Sequence, residues 1–328
     1  MHAMKMKSLK VLGLALAALV ATTTVSVAAP IQVDANLNDY VKVQGVGGTL
    51  SSVGSDTLNN MMALWVEGFN KQYPNVKIQV EGKGSSTAPP ALIEGTSQLG
   101  PMSRKMKDKE VQQFEAKYGF KPTTIGVALD ALAVFVNKDN PLKEMSMTQV
   151  DSVFSKTFKR GGADVTTWGQ LGLAGDFANM PISLYGRNSA SGTYGFFKEH
   201  TLKKGDFKDI VKEQPGNAAV VQGVSSDKGG FGYSGMGYIT SDVRALPLAG
   251  KDGETAYAPN YENVLSGNYP LGRMLYINVV KEPNKPLPTL VKEFLTYVLS
   301  KEGQEVVVKD GFLPLPAAVA QKQLELLN

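Results

Sequence analysis

Thr49-Leu50-Ser51-Ser52-Val53-Gly54-Ser55-Asp56-Thr57-Leu58 is the stretch on which the fold turns. Thr49 to Gly54 reads as a short strand that ends at a glycine. From there Leu58, Met61, Met62, Trp65, Val66 and Phe69 recur at helical spacing and make one apolar face through about three turns. Tyr73-Pro74 stops that helix. Val76-Lys77-Ile78-Gln79-Val80 alternates and reads as a strand. Gly84-Ser85-Ser86-Thr87 opens a second helix, with Pro89 and Pro90 in its first turn, where proline is tolerated. Asp108 to Tyr118 forms a third. This βαβα order favours a parallel sheet covered by helices, an α/β fold.

Further along, Ile125 to Val136 is a long apolar run interrupted by Asp130, expected to form one or two buried strands. Short helices such as Met147–Phe154 follow. Ile182-Ser183-Leu184-Tyr185 is a strand that runs into Gly186-Arg187, and a helix begins near Tyr194. Gly229 to Ser234 reads as a tight strand pair or turn. Leu275 to Val280 is another buried strand, and Leu290–Leu299 and Gly303–Lys309 are terminal helices. No repeat or low-complexity tract occurs.

The first residues read as an address. Lys5, Lys7 and Lys10 make a basic start, Val11 to Val20 an apolar run, and Val25 to Ala29 a small-residue cleavage site. A secretory signal over 1–29 is expected, cut after Ala28 or Ala29. A membrane anchor would need about 18 uninterrupted apolar residues, and the run is shorter. The whole chain carries 34 basic and 30 acidic residues, and the signal holds three lysines and no acid. The mature chain is then nearly neutral, with no electrostatic footprint for nucleic acid. There is no cysteine, which excludes disulfides, thiol nucleophiles and cysteine metal sites. Once His2 leaves with the signal, His200 alone remains, too few for a zinc hydrolase. No cofactor or metal is expected. Some 300 mature residues exceed what one core comfortably serves, so two lobes are expected.

Three strand-to-helix turns carry the chemistry: Gly54-Ser55-Asp56-Thr57-Leu58, Gly84-Ser85-Ser86-Thr87 and Arg187-Asn188-Ser189-Ala190-Ser191-Gly192-Thr193. A helix N-terminus offers unpaired N–H groups and the positive end of a dipole, so a small-residue turn there suits an anion. Serine and threonine are also ordinary helix caps, and one such turn would prove little. Arg187 sharpens the pattern, because a guanidinium grips an oxyanion through parallel N–H bonds.

The spacing Arg187, Ser191-Gly192-Thr193 resembles the anion loop of periplasmic phosphate-binding proteins (the PstS family) of the phosphate-specific ABC transporter. Gly-Ser-x-Thr-Leu at 54–58, Gly-Ser-Ser at 84–86 and Glu302-Gly-Gln-Glu with Gly311-Phe-Leu-Pro-Leu-Pro316 extend the likeness over about residues 48–316. The resemblance implies a two-lobed type II periplasmic solute-binding fold, each lobe a mixed sheet covered by helices. Residues 30–45 are polar and irregular and are expected to form a mobile arm; the resemblance would then make one lobe from 46–127 with 275–328 and the other from 128–274. It implies ligands at Thr57, Leu58 (through its N–H), Ser85, Arg187, Ser191, Gly192 and Thr193, with Ser55 and Ser86 as further candidates. It also implies a periplasmic monomer that binds inorganic phosphate, serves an inner-membrane ABC permease and catalyses nothing.

One departure bears on selectivity. Many members of the family carry an aspartate, in a Ser-Asp pair, that accepts the proton of monohydrogen phosphate. Here the matching stretch is Gly100-Pro101-Met102-Ser103-Arg104. Asp130 is expected to supply the missing acceptor, since a lone carboxylate in an apolar run is costly to bury. Arg104 would pair with Asp130 or touch the ligand. Two rival readings stand beside this one. A site for another oxyanion, sulfate or molybdate, shares the fold. A secreted phosphatase using Ser191 or Ser85 would need an activating base that the chain scarcely offers.

Overall fold

A computed structural model describes residues 31–328; the expected signal at 1–29 lies outside the described residues. The strands in chain order are β1 (Gly48–Val53), β2 (Val76–Glu81), β3 (Gly100–Met102), β4 (Thr123–Asn137), β5 (Met145–Ser146), β6 (Ser183–Arg187), β7 (Lys212–Gln214), β8 (Gly230–Gly235), β9 (Val243–Ala245), β10 (Leu248–Ala249) and β11 (Gly272–Val279). β1 lies parallel to β2. The helix between them, Asn59–Gln72, turns Met61, Met62, Trp65 and Phe69 into the core. Each such side chain contributes on the order of 2–3 kcal/mol of burial.

One mixed sheet dominates, in the order β3-β11-β4-β8-β6-β7, with β9 beside β4. β4 is its spine. Residues 123–131 pair antiparallel with β11, and residues 132–136 pair antiparallel with β8. The expected break at Asp130 does not occur. Asp130 lies opposite Arg273 of β11 in register, and that partner lets a charged residue stay in a continuous strand. The expected strand pair or turn at Gly229–Ser234 is likewise a single strand, β8 (Gly230–Gly235), buried along its whole length. The helices Asn217–Ser225 and Ala317–Glu325 were not anticipated.

Two main apolar cores flank the spine. One gathers Trp65, Phe69, Ile125, Val127, Ala128, Leu275 and Phe294. The other gathers Ala131, Leu132, Phe154, Trp168, Phe197, Phe231 and Leu271. The chain passes from the first to the second between Ala128 and Ala131, and returns between Leu271 and Leu275. Asp130 and Arg273 therefore sit where the cores meet.

Of the segment 30–45, expected to be a mobile arm, the part from Asp34 to Tyr40 is anchored to the fold, while Val41 stays 77% exposed. Leu37 and Tyr40 are buried in the first core. The Tyr40 hydroxyl stands 2.7 Å from that of Tyr73 and donates to Glu293 at 2.9 Å. Asp34 accepts from the Ala317 N–H at 2.9 Å, and Asn38 C=O accepts from Lys301 N–H at 2.9 Å. Apart from Tyr73, these anchors lie more than 250 residues away, beyond the reach of any local pattern.

Candidate functional site

The three turns come together. Ser55 caps a short turn, Asp56–Leu58, that runs into the first helix, and its Oγ accepts from Thr57 N–H at 3.2 Å. Ser191 caps the helix Gly192–His200, and its Oγ accepts from the N–H groups of Thr193 (3.1 Å) and Tyr194 (3.3 Å). The second turn is tied to both. Gly84 N–H donates to Gly54 C=O at 2.8 Å, and Ser86 N–H donates to Ala190 C=O at 3.1 Å. Gly84 adopts φ +121°, and a Cβ there would stand 2.6 Å from Ala190 O. Only glycine fits both demands.

Hydroxyls line the junction. Thr57 Oγ1 and Thr193 Oγ1 are 3.0 Å apart. Ser103, just after β3, joins them: its Oγ accepts from Ser55 Oγ at 3.1 Å and lies 3.3 Å from Ser85 Oγ. A Cβ on Gly192 would stand 2.2 Å from Ser85 Oγ and 2.5 Å from Ser103 Oγ. The bare backbone of Gly192 is thus packed directly against the serine cluster. Ser55, Thr57, Ser85, Ser103, Ser191 and Thr193 are all buried, as is Leu58.

Two arginine–carboxylate pairs flank these hydroxyls. Arg187, at the end of β6, is 1% exposed. Its Nη2 donates to Pro215 C=O at 3.0 Å. Its Nη1 stands 3.1 Å from Asp56 Oδ2 but without hydrogen-bond geometry, and Nε and Nη1 are buried with no hydrogen-bond partner. Burial pushes the Arg187 pKa below the ordinary guanidinium value, and the charge of Asp56 opposes that shift. Asp56 is held from the other side by the N–H (3.0 Å) and Nδ2 (2.8 Å) of Asn217. Asn217 Nδ2 also donates to Thr57 Oγ1 at 3.1 Å.

The second pair is fully engaged. Arg273 reaches Asp130 Oδ2 with Nε (2.8 Å) and Nη2 (2.7 Å). Its Nη1 donates to Ser103 C=O at 3.0 Å, and its Nη2 to Thr193 Oγ1 at 3.0 Å. Asp130 Oδ1 accepts from Met236 N–H at 3.0 Å. Asp130 is wholly buried, and a pair so placed is tolerated because nearly every donor and lone pair is matched.

Arg104 departs from expectation. It pairs neither with Asp130 nor with the cleft hydroxyls Thr57, Ser85 and Thr193. Its two terminal nitrogens grip Glu110 at 2.7 Å each, and Nη2 reaches Ser86 Oγ at 3.1 Å. Glu110 lies six residues on, in the helix Asp108–Tyr118, so a local bidentate bridge takes the guanidinium. Ser86 is thereby tied to Arg104 as well as to Ala190. Asp56, Ser103, Asn217 and Arg273 were not anticipated. Arg273 had a usable signal, since it opens an apolar strand just as Asp130 interrupts one. Asn217 had none.

Among the described residues no group of three or more histidines, aspartates or glutamates could hold a metal ion, and no helix is long and apolar enough to cross a membrane. His200 is the last residue of its helix, about 13 Å from Ser191 at 1.5 Å per residue. Its ring lies against Phe196.

Comparison with known proteins agrees on one kind of molecule. A family model described as the PBP superfamily domain matches residues 42–302. The phosphate-binding protein PstS of Pseudomonas aeruginosa is 58% identical over 297 residues, covering 90% of this chain and 92% of that one. Protein SphX of Synechococcus elongatus is 32% identical over 80% of this chain and 77% of its own. Among solved structures, a Clostridium perfringens protein provisionally named a phosphate ABC transporter substrate-binding protein, with bound phosphate, aligns with TM-score 0.68 and 25% identity. It covers 82% of this chain and 100% of its own. An ABC-type phosphate transport receptor from Vibrio cholerae shares the fold at TM-score 0.63 and 21% identity, over 81% of this chain and all of its own.

Proposed function

The chain belongs to the PBP superfamily and, within it, to the family of the phosphate-binding protein PstS; on that premise we propose that it binds inorganic phosphate tightly in the periplasm and delivers it to an inner-membrane ABC importer. The observation that carries this reading is Arg187. A guanidinium 1% exposed, with Nε and Nη1 lacking hydrogen-bond partners, stands beside three joined helix mouths. Buried donors without partners are costly, and a tetrahedral dianion satisfies several at once.

The ligand set is Thr57, the Leu58 N–H, Ser85, Arg187, Ser191, Gly192 and Thr193, with Ser55 behind Thr57. Asp130 acts through Arg273, which holds Thr193, rather than on the anion directly. Residues 46–127 with 275–328 form one lobe and 128–274 the other, and the anion favours the closed arrangement because both lobes touch it. Residues 1–29 direct export and are removed.

No catalytic step is assigned. Ser191 Oγ accepts two N–H bonds as a helix cap, and His200 is at the far end of that helix. A site for sulfate or molybdate is the rival reading. Anion-stripped, refolded protein titrated calorimetrically with phosphate and then sulfate decides between them. One-to-one binding of phosphate at micromolar or tighter affinity with no sulfate heat is expected. Tight sulfate or molybdate binding would overturn the choice of ligand, and release of phosphate from a chromogenic ester would overturn the absence of catalysis.

A further inference from the structure

The two proposed lobes, 46–127 with 275–328 and 128–274, are joined by bonds that run from protein to protein and pass through no anion. Asn217 is the centre of one set. It is the first residue of the helix Asn217–Ser225 and is 1% exposed. Its N–H and its Nδ2 both donate to Asp56 Oδ2, at 3.0 and 2.8 Å, and Nδ2 also reaches Thr57 Oγ1 at 3.1 Å. A carboxylate beside a guanidinium only accepts, so the amide must turn its NH2 toward it. Tyr238, from the same lobe as Asn217, donates its hydroxyl to Asp56 C=O at 2.9 Å. The turn that carries Asp56 and Thr57 is thus fastened to the opposite lobe through side chain and backbone alike.

The helix Gly192–His200 shows a second fitted contact. It carries glycine at 192 and again at 195, although glycine inside a helix is costly relative to alanine. Positions i and i+3 share one face, and that face meets the other lobe. A Cβ on Gly192 would stand 2.2 Å from Ser85 Oγ, and one on Gly195 would stand 3.1 Å from Arg104 Cδ. The lobes therefore have a surface cut to each other, apart from whatever lies between them.

Asn217 also carries a cost. Its Oδ1 is buried with no hydrogen-bond partner, and an unmet buried acceptor is unfavourable. Moving the lobes apart returns that oxygen to water. The side chain that fastens the lobes is therefore partly strained by doing so. Arg273 and Asp130, where the cores meet, carry no such penalty on the guanidinium. A tie with an orphaned acceptor suits a catch that holds and lets go.

We propose that Asn217 is a latch on the cleft: through Asp56 and Thr57 it keeps a small closed population before the anion arrives and sets how fast a bound anion is released. This rests on the two-lobed reading above. The latch bonds belong to the closed arrangement whether or not an anion is present, so they shift the opening equilibrium by their own differential contacts.

The chain has no cysteine, so a donor–acceptor dye pair can be placed at Lys71→Cys and Lys228→Cys, exposed positions on the two lobes outside the anion turns. Single-molecule energy transfer on anion-stripped protein should show a closed population of roughly 1–10%, at the efficiency reached with saturating phosphate. Asn217→Ala removes two hydrogen bonds, one of them to a charged group. That closed population should fall, and phosphate release in stopped flow should quicken, each by about 10–100-fold. Asn217→Asp keeps the shape of the side chain and sets a second carboxylate against Asp56. It should open the anion-free protein at least as far, and it repeats the test should alanine disturb folding. An anion-free closed population that is absent in wild type, or equal in wild type and both variants, overturns the proposal. Faster release without that change makes Asn217 a partner of the bound anion, and overturns it too. Tight sulfate binding by the wild type would overturn the choice of ligand alone, because the anion-free populations still decide on the latch.

Discussion

Arg187 with Asp56 and Arg273 with Asp130 are the same chemical pair in two different states. Arg273 and Asp130 lie in register on adjacent antiparallel strands, and every nitrogen of the guanidinium has a partner. Arg187 and Asp56 come from different turns and meet at a single 3.1 Å contact, with two guanidinium nitrogens lacking hydrogen bonds. A satisfied buried pair is scaffold. A buried pair with donors to spare is where a ligand belongs. Burial alone does not separate the two arginines, since both are nearly inaccessible; the count of unmet donors does.

The comparison breaks most visibly in stability. Arg273→Met leaves Asp130 charged, buried and unpaired, and should cost about 3–5 kcal/mol. Thermal melts should fall by roughly 6–15 °C. Asp130→Leu should do comparable damage by stranding Arg273. The double variant should recover more than half of either loss, because an apolar pair of similar volume removes the stranded charge. If the single variants melt like wild type, the pair is not scaffold.

Arg187→Met should show the opposite balance. Phosphate binding should weaken by about 2–5 kcal/mol, some 30- to several-thousand-fold. The melt in the absence of phosphate should change little, because a buried cation with unmet donors leaves along with its cost. Calorimetry and a melt on the same sample check both halves. A large loss of stability with little loss of affinity would reverse the roles of the two arginines.

Most of what could be read in advance was local. The strand-to-helix turns at Gly54, Gly84 and Arg187 announce themselves through glycine, hydroxyl caps and helical spacing within a dozen residues. The helices Asp108–Tyr118 and Met147–Phe154 are found where expected for the same reason. What escaped notice is non-local. Asp130 looked like an interruption because its partner lies 143 residues away. Asn217 reaches Asp56 across 161 residues. The stretch 34–40 looked free because most of its anchors are at the other end of the chain. Arg104 misled in the other direction. Its partner Glu110 was six residues away in plain view, and a distant pairing was expected where a local bidentate bridge forms more readily.

Asp56→Asn sharpens the comparison at a smaller scale. Removing the negative charge takes a repulsive neighbour from the anion, yet it also removes the group that steadies Arg187. These effects oppose, and Asp56 is partly exposed, so solvent screens both. Phosphate affinity should stay within about threefold of wild type. A loss beyond tenfold would give Asp56 a direct contact with the anion.

Asp310 supplies the smallest effect and a control. Its Oδ2 is buried without a partner, as two nitrogens of Arg187 are, yet it caps the helix Lys301–Lys309 and accepts from Asn60 rather than lining the anion turns. A carboxylate has a remedy that a guanidinium lacks, because it can take up a proton. Burial accordingly pushes the Asp310 pKa above the ordinary aspartate value of 3.8, against the Asn60 hydrogen bond. A group raised on folding gives its full stability below the unfolded value, where both states are protonated. That stability is lost as pH rises through the folded value. Asp310→Asn fixes the neutral form, so the variant should melt about 1–2 °C above wild type near pH 7. The gap should close as pH falls below about 3.8, with phosphate affinity at neutral pH unchanged. A variant that melts lower at neutral pH would mean that the charged form is the one the fold prefers. An unmet buried oxygen would then be no guide to strain at this position.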